Sequence, residues 1–129
     1  MAKNTIKISP RTQNTPLMIW VWRGLFVAAA AVILWKSLEP FHGSPGPPYT
    51  DKIRHFMAYL CLTGLAFLSR LTSRRFRLMV AILVFSAAIE VLQGLMNMGR
   101  TASFADFVAN LFGIFFAWGF LKGLQSLKG

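Results

Sequence analysis

Polar side chains that could bind a ligand or move a proton interrupt the apolar stretches of this sequence. Three of the four acidic residues, Asp51, Glu90 and Asp106, lie within such stretches or at their start. On insertion scales a charge at the centre of a bilayer costs at least about 2.5–3.5 kcal/mol, so each needs a partner or a use. Glu90 and Asp106, together with His55, are therefore candidates for general acid–base chemistry.

Helical spacing collects the polar residues into three stripes, because side chains three or four positions apart lie on one side of a helix. The stripes consist of Asp51, His55 and Tyr59; of Ser86, Glu90, Gln93 and Asn97; and of Asp106 and Asn110, which share their face with Gly113. With flanking cations added, the predicted ligand-binding residues are Asp51, Lys52, His55, Tyr59, Glu90, Gln93, Arg100, Asp106 and Asn110. Such a set could bind an anionic head group or perform acid–base chemistry.

The acidic residues near two predicted helix starts also have a structural explanation. Thr50 or Asp51 could cap one helix by accepting its unpaired amide protons. Ser103 and Asp106 have the spacing of a capping box, with Asp in place of the longer Glu. Asp106 could also pair with Arg100, so neither aspartate requires a ligand to explain it.

The remaining polar residues differ in whether a purely structural role explains their presence in an apolar segment. Gln93 and Asn110 could serve only as hydrogen-bond links between helices, which average under about 1 kcal/mol in membranes. Glu90 is harder to explain in this way because a carboxylate inside a membrane span is expensive. His55 would need two or three further ligands to hold zinc, and His42 lies in a predicted loop. We therefore expect neither a metal site nor a cofactor.

The composition assigns the elements that hold these residues to a membrane. Apolar residues make up 55% of the 129 residues and charged residues only 14%, against roughly 25% charged in ordinary soluble domains. The net charge of +10 does not indicate a nucleic-acid partner, because the basic residues lie between the apolar runs and not along one face. The lone cysteine, Cys61, excludes an internal disulfide.

Four apolar segments are candidates for membrane-spanning helices. They cover residues 17–38, 56–68, 78–98 and 104–121, and about 20 residues are needed to cross a hydrocarbon core of roughly 30 Å. The second is the weakest: it spans only if residues 51–55 lie at the interface, and otherwise it is a re-entrant or partly buried helix. Small residues at positions 105, 109, 113 and 117 predict that the fourth helix packs in the centre. The predicted fold is an all-α integral membrane four-helix bundle.

Basic residues predict the orientation of this bundle. They are concentrated in residues 1–16, in residues 70–77 and near the C-terminus, and the positive-inside rule places all three regions in the cytoplasm. Both termini are then cytoplasmic, and the polar stripes lie on the outward side of a multi-pass inner-membrane protein. Residues 1–16 are predicted to be a mobile cytoplasmic tail, and residues 17–129 the membrane domain, with an uncleaved first helix.

Three segments carry a resemblance to a known family. They are DKIRHFMAY at 51–59, EVLQ at 90–93 and GRTASFADFVANLFG at 99–113. The last has the form G-R-x-x-S-x-x-D-x-x-x-N-x-x-G and is the most specific. In order and spacing they resemble the VanZ-like membrane family, named for a protein associated with resistance to the glycopeptide antibiotic teicoplanin. The resemblance implies a bacterial cell-envelope protein whose shared site lies within residues 51–113, and it implies no particular reaction.

Three functions remain open at this point. The leading one is binding of an anionic lipid-linked or peptidoglycan-related ligand on the outward side, linked to glycopeptide tolerance. In it Lys52, Arg100 and His55 supply positive charge, while Glu90 and Asp106 orient them or move a proton. The alternatives are an acid–base enzyme acting on a lipid phosphate, for which no nucleophile is evident, and a structural scaffold for other envelope proteins. The expected partners are membrane lipids and, for the leading function, a lipid-linked envelope precursor.

Overall fold

The described part of the chain folds into four helices. The computed structural model describes residues 15–40, 42–44, 46–97 and 103–129. The helices are α1 (Pro16–Leu38), α2 (Pro48–Leu68), α3 (Arg75–Met96) and α4 (Phe104–Ser126), and the described residues contain no strand. The all-helical prediction is therefore confirmed. Residues 1–14 of the predicted mobile tail lie outside the described residues, and α1 begins at the last residue assigned to that tail.

Three of the four helices, α1, α3 and α4, are long and apolar enough to cross a membrane. Helix α2, the weakest of the predicted spans, is not among them. Its first turns carry Asp51, Lys52, Arg54 and His55, which lower its mean hydropathy. The chain is thus a membrane-type helical protein with three candidate spans among its described residues. The fourth crossing and the cytoplasmic location of both termini stay predictions.

The most extensive helix–helix contact joins α2 and α4. Gly113 permits it, because a Cβ atom at this position would lie 2.4 Å from the Phe56 carbonyl oxygen and 3.0 Å from the Leu60 amide nitrogen. No larger residue fits between the two backbones there. Gly113 and Ala117 are buried, whereas Ala105 is exposed. The small residues therefore permit close packing in the middle of α4 and not at its start. The prediction that α4 packs in the centre is wrong, because among the described helices α2 contacts all three others, whereas α4 contacts only α2 and α3.

A small apolar core lies beside this contact. It consists of Tyr59, Leu62, Ala66, Ile82 and Ile114, contributed by α2, α3 and α4. Helix α1 has no fully buried residue and packs against the core through one partly buried face. Many large apolar side chains of all four helices remain exposed. An apolar surface of this extent is unusual for a soluble monomer and is expected for helices that face lipid.

Helix α2 begins earlier than expected. Pro47 is its N-cap residue and Pro48 its first residue, and no side chain caps the helix. Proline suits the first turn because it has no amide proton to leave unpaired. The prediction that Thr50 or Asp51 caps α2 is therefore wrong, and the Asp51 carboxylate is not used for capping.

Helix α3 ends at Met96. The next residue, Asn97, has a φ of 47° in the left-handed region, a common way to end a helix. Because Asn97 lies beyond the last helical residue, helical spacing does not apply to it, and the predicted extension of the α3 polar stripe to this residue is wrong. The stripe consists of Ser86, Glu90 and Gln93, all of which are buried.

One end of the bundle holds the turn between α2 and α3 and is called here the basic end. The Arg23 Nε of α1 donates a hydrogen bond to the Ser69 carbonyl oxygen over 3.2 Å. The Ser69 hydroxyl donates to the Ala66 carbonyl oxygen over 2.6 Å, and the Arg75 guanidinium donates to the side-chain oxygen of Gln125 on α4. These three side-chain donors thus bind oxygen atoms of their own segment or of a neighbouring helix.

Candidate functional site

The opposite end of the bundle contains the predicted polar stripes and is called here the polar end. It consists of the last turns of α1, the first turns of α4, and the parts of α2 and α3 between this end and the middle of each helix. The Gln93 Nε2 donates to the Ser37 carbonyl oxygen over 2.7 Å and ties α3 to α1. The polar end contains Asp51, His55, Tyr59, Ser86, Glu90, Gln93, Asp106 and Asn110.

A chain of three hydrogen-bonded side chains connects α2, α4 and α3 at the polar end. His55 Nδ1 lies 3.0 Å from Asn110 Oδ1, and Asn110 Nδ2 donates to Ser86 Oγ over 2.8 Å. Because the Asn110 amide nitrogen is used by Ser86, its oxygen faces the histidine, and His55 Nδ1 carries the proton between them. The chain therefore fixes the imidazole ring and leaves Nε2 directed at other groups.

Glu90 is buried at this end of α3, with 8% of its surface exposed. Its Oε2 accepts a hydrogen bond from the Ser103 backbone N–H over 3.4 Å. In a capping box that amide would bind the side chain of the residue three positions later, which is Asp106. Ser103 is the N-cap residue of α4 but makes no side-chain cap bond. The predicted capping box is therefore wrong, and a carboxylate from another helix takes its place.

Two buried polar atoms at the polar end make no hydrogen bond within the described part of the chain. They are the Glu90 Oε1 and the Tyr59 hydroxyl. The hydroxyl lies near Ser86, whose own side chain accepts from Asn110. Buried groups without a partner are rare in native proteins and often mark a position completed by water, an ion or a ligand.

Asp51, His55 and Asp106 form a cluster at the mouth of the polar end. One donor atom from each lies within 4.8 Å of the other two, and His55 Nε2 is 3.9 Å from Asp51 Oδ2. The Asp51 side chain is 56% exposed and the His55 side chain 12% exposed, so the cluster reaches the surface. Sequence spacing did not place this cluster, because Asp106 comes from a different helix than the other two.

A cleft of about 390 Å³ opens beside the cluster, between α1 and α2. Its lining residues are Val32, Ile33, Lys36, Ser37, Asp51, Arg54, His55, Ala58 and Tyr59. Lys36 and Arg54 were not predicted as site residues. The sequence does carry a signal for them, since both oppose the positive-inside rule and Arg54 lies within the 51–59 segment.

The cations predicted for the site are not those that line the cleft. Lys52 is exposed, and its Nζ donates to the Pro48 carbonyl oxygen of its own helix over 3.3 Å. Arg100 lies outside the described residues, and its pairing with Asp106 stays a prediction. The other predicted ligand-binding residues all lie at the polar end, where α2 and α4 bring His55 and Asn110 into contact.

Comparison with known proteins assigns the chain to a family. The family model described as VanZ/LLP1 matches residues 6–125, which include all of α1, α2 and α3 and nearly all of α4. No curated protein and no solved structure matches the chain significantly. The family match extends the resemblance of residues 51–113 to the first helix and to most of the last. This chain belongs to the VanZ/LLP1 family.

Proposed function

We propose that this protein binds the anionic head group of a lipid-linked or peptidoglycan-related ligand at the polar end, from the outer-leaflet side of the bacterial cytoplasmic membrane. The observation that carries the proposal is the cleft between α1 and α2, which combines two cationic side chains with an apolar wall. Its volume of about 390 Å³ falls within the range of roughly 300–1,000 Å³ usual for small-molecule sites.

The two cations approach the cleft from different helices. Arg54 comes from α2 and makes no ion pair within the part of the chain that the structure describes. A guanidinium can bind two oxygens of one phosphate group at once. Lys36 comes from α1 and pairs with Glu39 at 2.7 Å, with both side chains largely exposed. A pair of this kind contributes little to stability, so an anionic ligand can compete for the lysine.

The apolar side of the cleft suits the chain of an amphiphile. Val32, Ile33 and Ala58 line it beside the charged residues. A ligand with a phosphate head and a hydrocarbon chain would place each part against matching groups. The predicted orientation places this end at the outer leaflet, where lipid-linked precursors of the cell envelope are used.

The hydroxyl groups of the polar end favour binding over an acid–base enzyme with a serine or tyrosine nucleophile. Ser86 is 0% exposed and accepts a hydrogen bond from Asn110. The Tyr59 hydroxyl is also buried. A nucleophile must reach the substrate and lie beside a base. Because both hydroxyls are buried, a substrate in the cleft would not reach either of them.

Lipid binding by the purified protein tests the proposal directly. The full chain is placed in phosphatidylcholine nanodiscs, and polyprenyl phosphate or phosphatidylglycerol is added as the probe. Arg54→Gln and Lys36→Gln should each weaken binding about tenfold, the effect of losing one hydrogen bond to a charged group. Arg77→Gln, an exposed arginine on α3 at the basic end, is the matched control. Equal affinities in all variants would contradict the proposal, and the two probes distinguish a lipid-linked precursor from a bulk phospholipid.

Antibiotic susceptibility tests the envelope role. Glu90→Gln, Asp106→Asn and His55→Ala should each reduce tolerance to teicoplanin in a strain that depends on this protein, at equal protein levels. If susceptibility and lipid binding are unchanged in all three variants, the polar end is not a ligand site.

A scaffold whose polar residues only lock helices together makes a different prediction for Glu90. Under that alternative Glu90→Gln lowers the thermal midpoint in detergent, because the residue contributes only to stability. A ligand-site carboxylate often reduces stability for the sake of function, so under our proposal the midpoint stays the same or rises.

A further inference from the structure

Three potential metal ligands converge at the mouth of the polar end. Asp51 and His55 lie one turn apart on α2, and Asp106 reaches them from α4, with donor atoms within 4.8 Å of one another. Oxygen and nitrogen donors lie about 2.0–2.2 Å from a zinc ion, and hence roughly 3–4 Å from each other. Small side-chain rotations would bring the three donors to such distances.

The hydrogen-bonded chain behind His55 prepares its imidazole to bind a metal. Asn110 is held by Ser86, so its oxygen accepts the proton of His55 Nδ1. In the neutral imidazole Nε2 then carries the lone pair, and it faces the Asp51 carboxylate at 3.9 Å. Histidine ligands of metals are typically held in this manner, with the second ring nitrogen bound to a neighbouring oxygen.

Three carboxylates, those of Asp51, Glu90 and Asp106, lie around His55, and a bound cation would offset their negative charge. Glu90 is 8% exposed, its Oε1 has no hydrogen-bond partner within the described residues, and its carboxylate interacts electrostatically with Asp51, His55 and Asp106. No lysine or arginine lies within ion-pair distance of Asp51, Glu90 or Asp106 in the described ranges of the chain. Glu90 is buried and Asp106 is half-buried, and a buried carboxylate is costly unless a positive charge offsets it.

We propose that Asp51, His55 and Asp106 bind a divalent transition-metal ion, with Asn110 orienting the histidine and Glu90 as the nearest further carboxylate. One imidazole nitrogen with two carboxylate oxygens suits Zn²⁺ or Mn²⁺ better than Mg²⁺ or Ca²⁺, which prefer oxygen alone. The site goes beyond the lipid binding proposed above and does not depend on it. Asp51 and His55 also line the cleft, so a bound ion would add positive charge at its rim.

Metal titration of the purified chain tests this proposal. The full-length protein in detergent is stripped with EDTA, and Zn²⁺ alone is added in a calorimeter. The wild type should bind one ion per chain, and Asp51→Asn, His55→Asn and Asp106→Asn should each weaken binding about tenfold or more. His42→Asn is the matched control, since His42 is exposed in the loop before α2 and should not change the affinity. Absence of binding to the wild type, or equal binding by the three site variants, overturns the proposal.

A second measurement guards against loss of folding in the variants. Asp51 is the decisive position, because its side chain is more than half exposed and its removal should leave the bundle intact. Zn²⁺ should raise the thermal midpoint of the wild type and of His42→Asn, but not of Asp51→Asn at the same concentration. A rise in Asp51→Asn equal to that of the wild type would contradict the assignment. Lipid binding measured in EDTA reports on the cleft separately, so either proposal can fail alone.

Discussion

The two ends of the bundle differ in how fully their buried polar side chains are paired within the described residues. At the basic end Arg23 and the Ser69 hydroxyl both donate to main-chain carbonyl oxygens. At the polar end His55, Asn110 and Ser86 bind one another through side chains alone. The polar end also holds Glu90 Oε1 and the Tyr59 hydroxyl, two of the three buried polar side-chain atoms without a hydrogen-bond partner in the described ranges. The third belongs to Thr63, one turn beyond Tyr59.

The difference separates a structural end from one suited to a ligand. Main-chain carbonyls are available on any helix, so the hydrogen bonds of Arg23 and of the Ser69 hydroxyl require no particular side chain on their neighbours. The hydrogen-bonded chain at the polar end forms only when α2, α4 and α3 place His55, Asn110 and Ser86 at the same depth in the bundle. Leaving further polar groups unpaired beside that chain lowers stability, as is usual for sites that act on something else.

Separating α2 from α4 should disrupt the polar end most strongly. Gly113→Val places side-chain atoms where the α2 backbone lies, since even a Cβ would be 2.4 Å from the Phe56 carbonyl oxygen. We expect a loss of about 3 kcal/mol in the free energy of unfolding, the upper part of the range for overpacking. SDS titration in mixed micelles measures it. Gly119→Val is the control, because a Cβ there meets nothing within 4 Å, and an equal loss in both variants would contradict the close contact.

Removing the central amide should weaken the polar end without separating its helices. Asn110→Leu leaves His55 Nδ1 and the Ser86 hydroxyl without their partner, and we expect a loss of about 2 kcal/mol. A double-mutant cycle with Ser86→Ala should give a coupling energy of about 1 kcal/mol, because the two residues share a hydrogen bond. Simple additivity of the two changes would show that the hydrogen bond does not contribute.

The basic end should respond less to the loss of its principal donor. Arg23→Met removes the hydrogen bond to the Ser69 carbonyl and the stacking of the guanidinium on Trp20. We expect a loss of about 1 kcal/mol in the same titration. Arg77→Met, an exposed arginine at the same end, should change stability by less than about 0.5 kcal/mol. A larger effect of Arg23→Met than of Asn110→Leu would reverse the contrast between the two ends.

The smallest effect is expected for Gln125→Leu. This side chain accepts from Arg75 on the exposed surface of the basic end, where hydrogen bonds compete with water. We expect a change within about 0.5 kcal/mol. A loss comparable to that of Asn110→Leu would mean that exposed and buried contacts contribute alike, contrary to the comparison.

The sequence predicts the helices and their polar faces better than it predicts their partners. Apolar length and the prolines before α2 were enough to place four helices, and helical spacing placed Ser86, Glu90 and Gln93 on one buried face. Spacing within a helix cannot say which face of another helix it meets. The contact between His55 and Asn110 depends on the parallel packing of α2 against α4, which follows from the three-dimensional arrangement of all four helices.

The errors at the helix ends have a common cause. Capping was predicted from local spacing at Asp51 and at Ser103 with Asp106, whereas the structure uses a proline start in α2 and a distant carboxylate in α4. Local motifs compete with any donor or acceptor that folding brings near. The Ser103 amide binds Glu90 because folding places the end of α3 beside the start of α4. The pattern of residues 103–106 does not indicate that these two helices are neighbours.

The pairing of α2 with α4 also has a consequence for how the protein is made. The ribosome adds 58 residues between the end of α2 at residue 68 and the end of α4 at residue 126 (126 − 68). At about 5–20 residues per second this takes roughly 3–12 s. During the first 42 of these additions (110 − 68) His55 has no Asn110 to bind, while the apolar α1 can enter the bilayer alone. The polar end is therefore completed only after α4 has been made, and α2, the most polar of the described helices, reaches its final contacts at that stage.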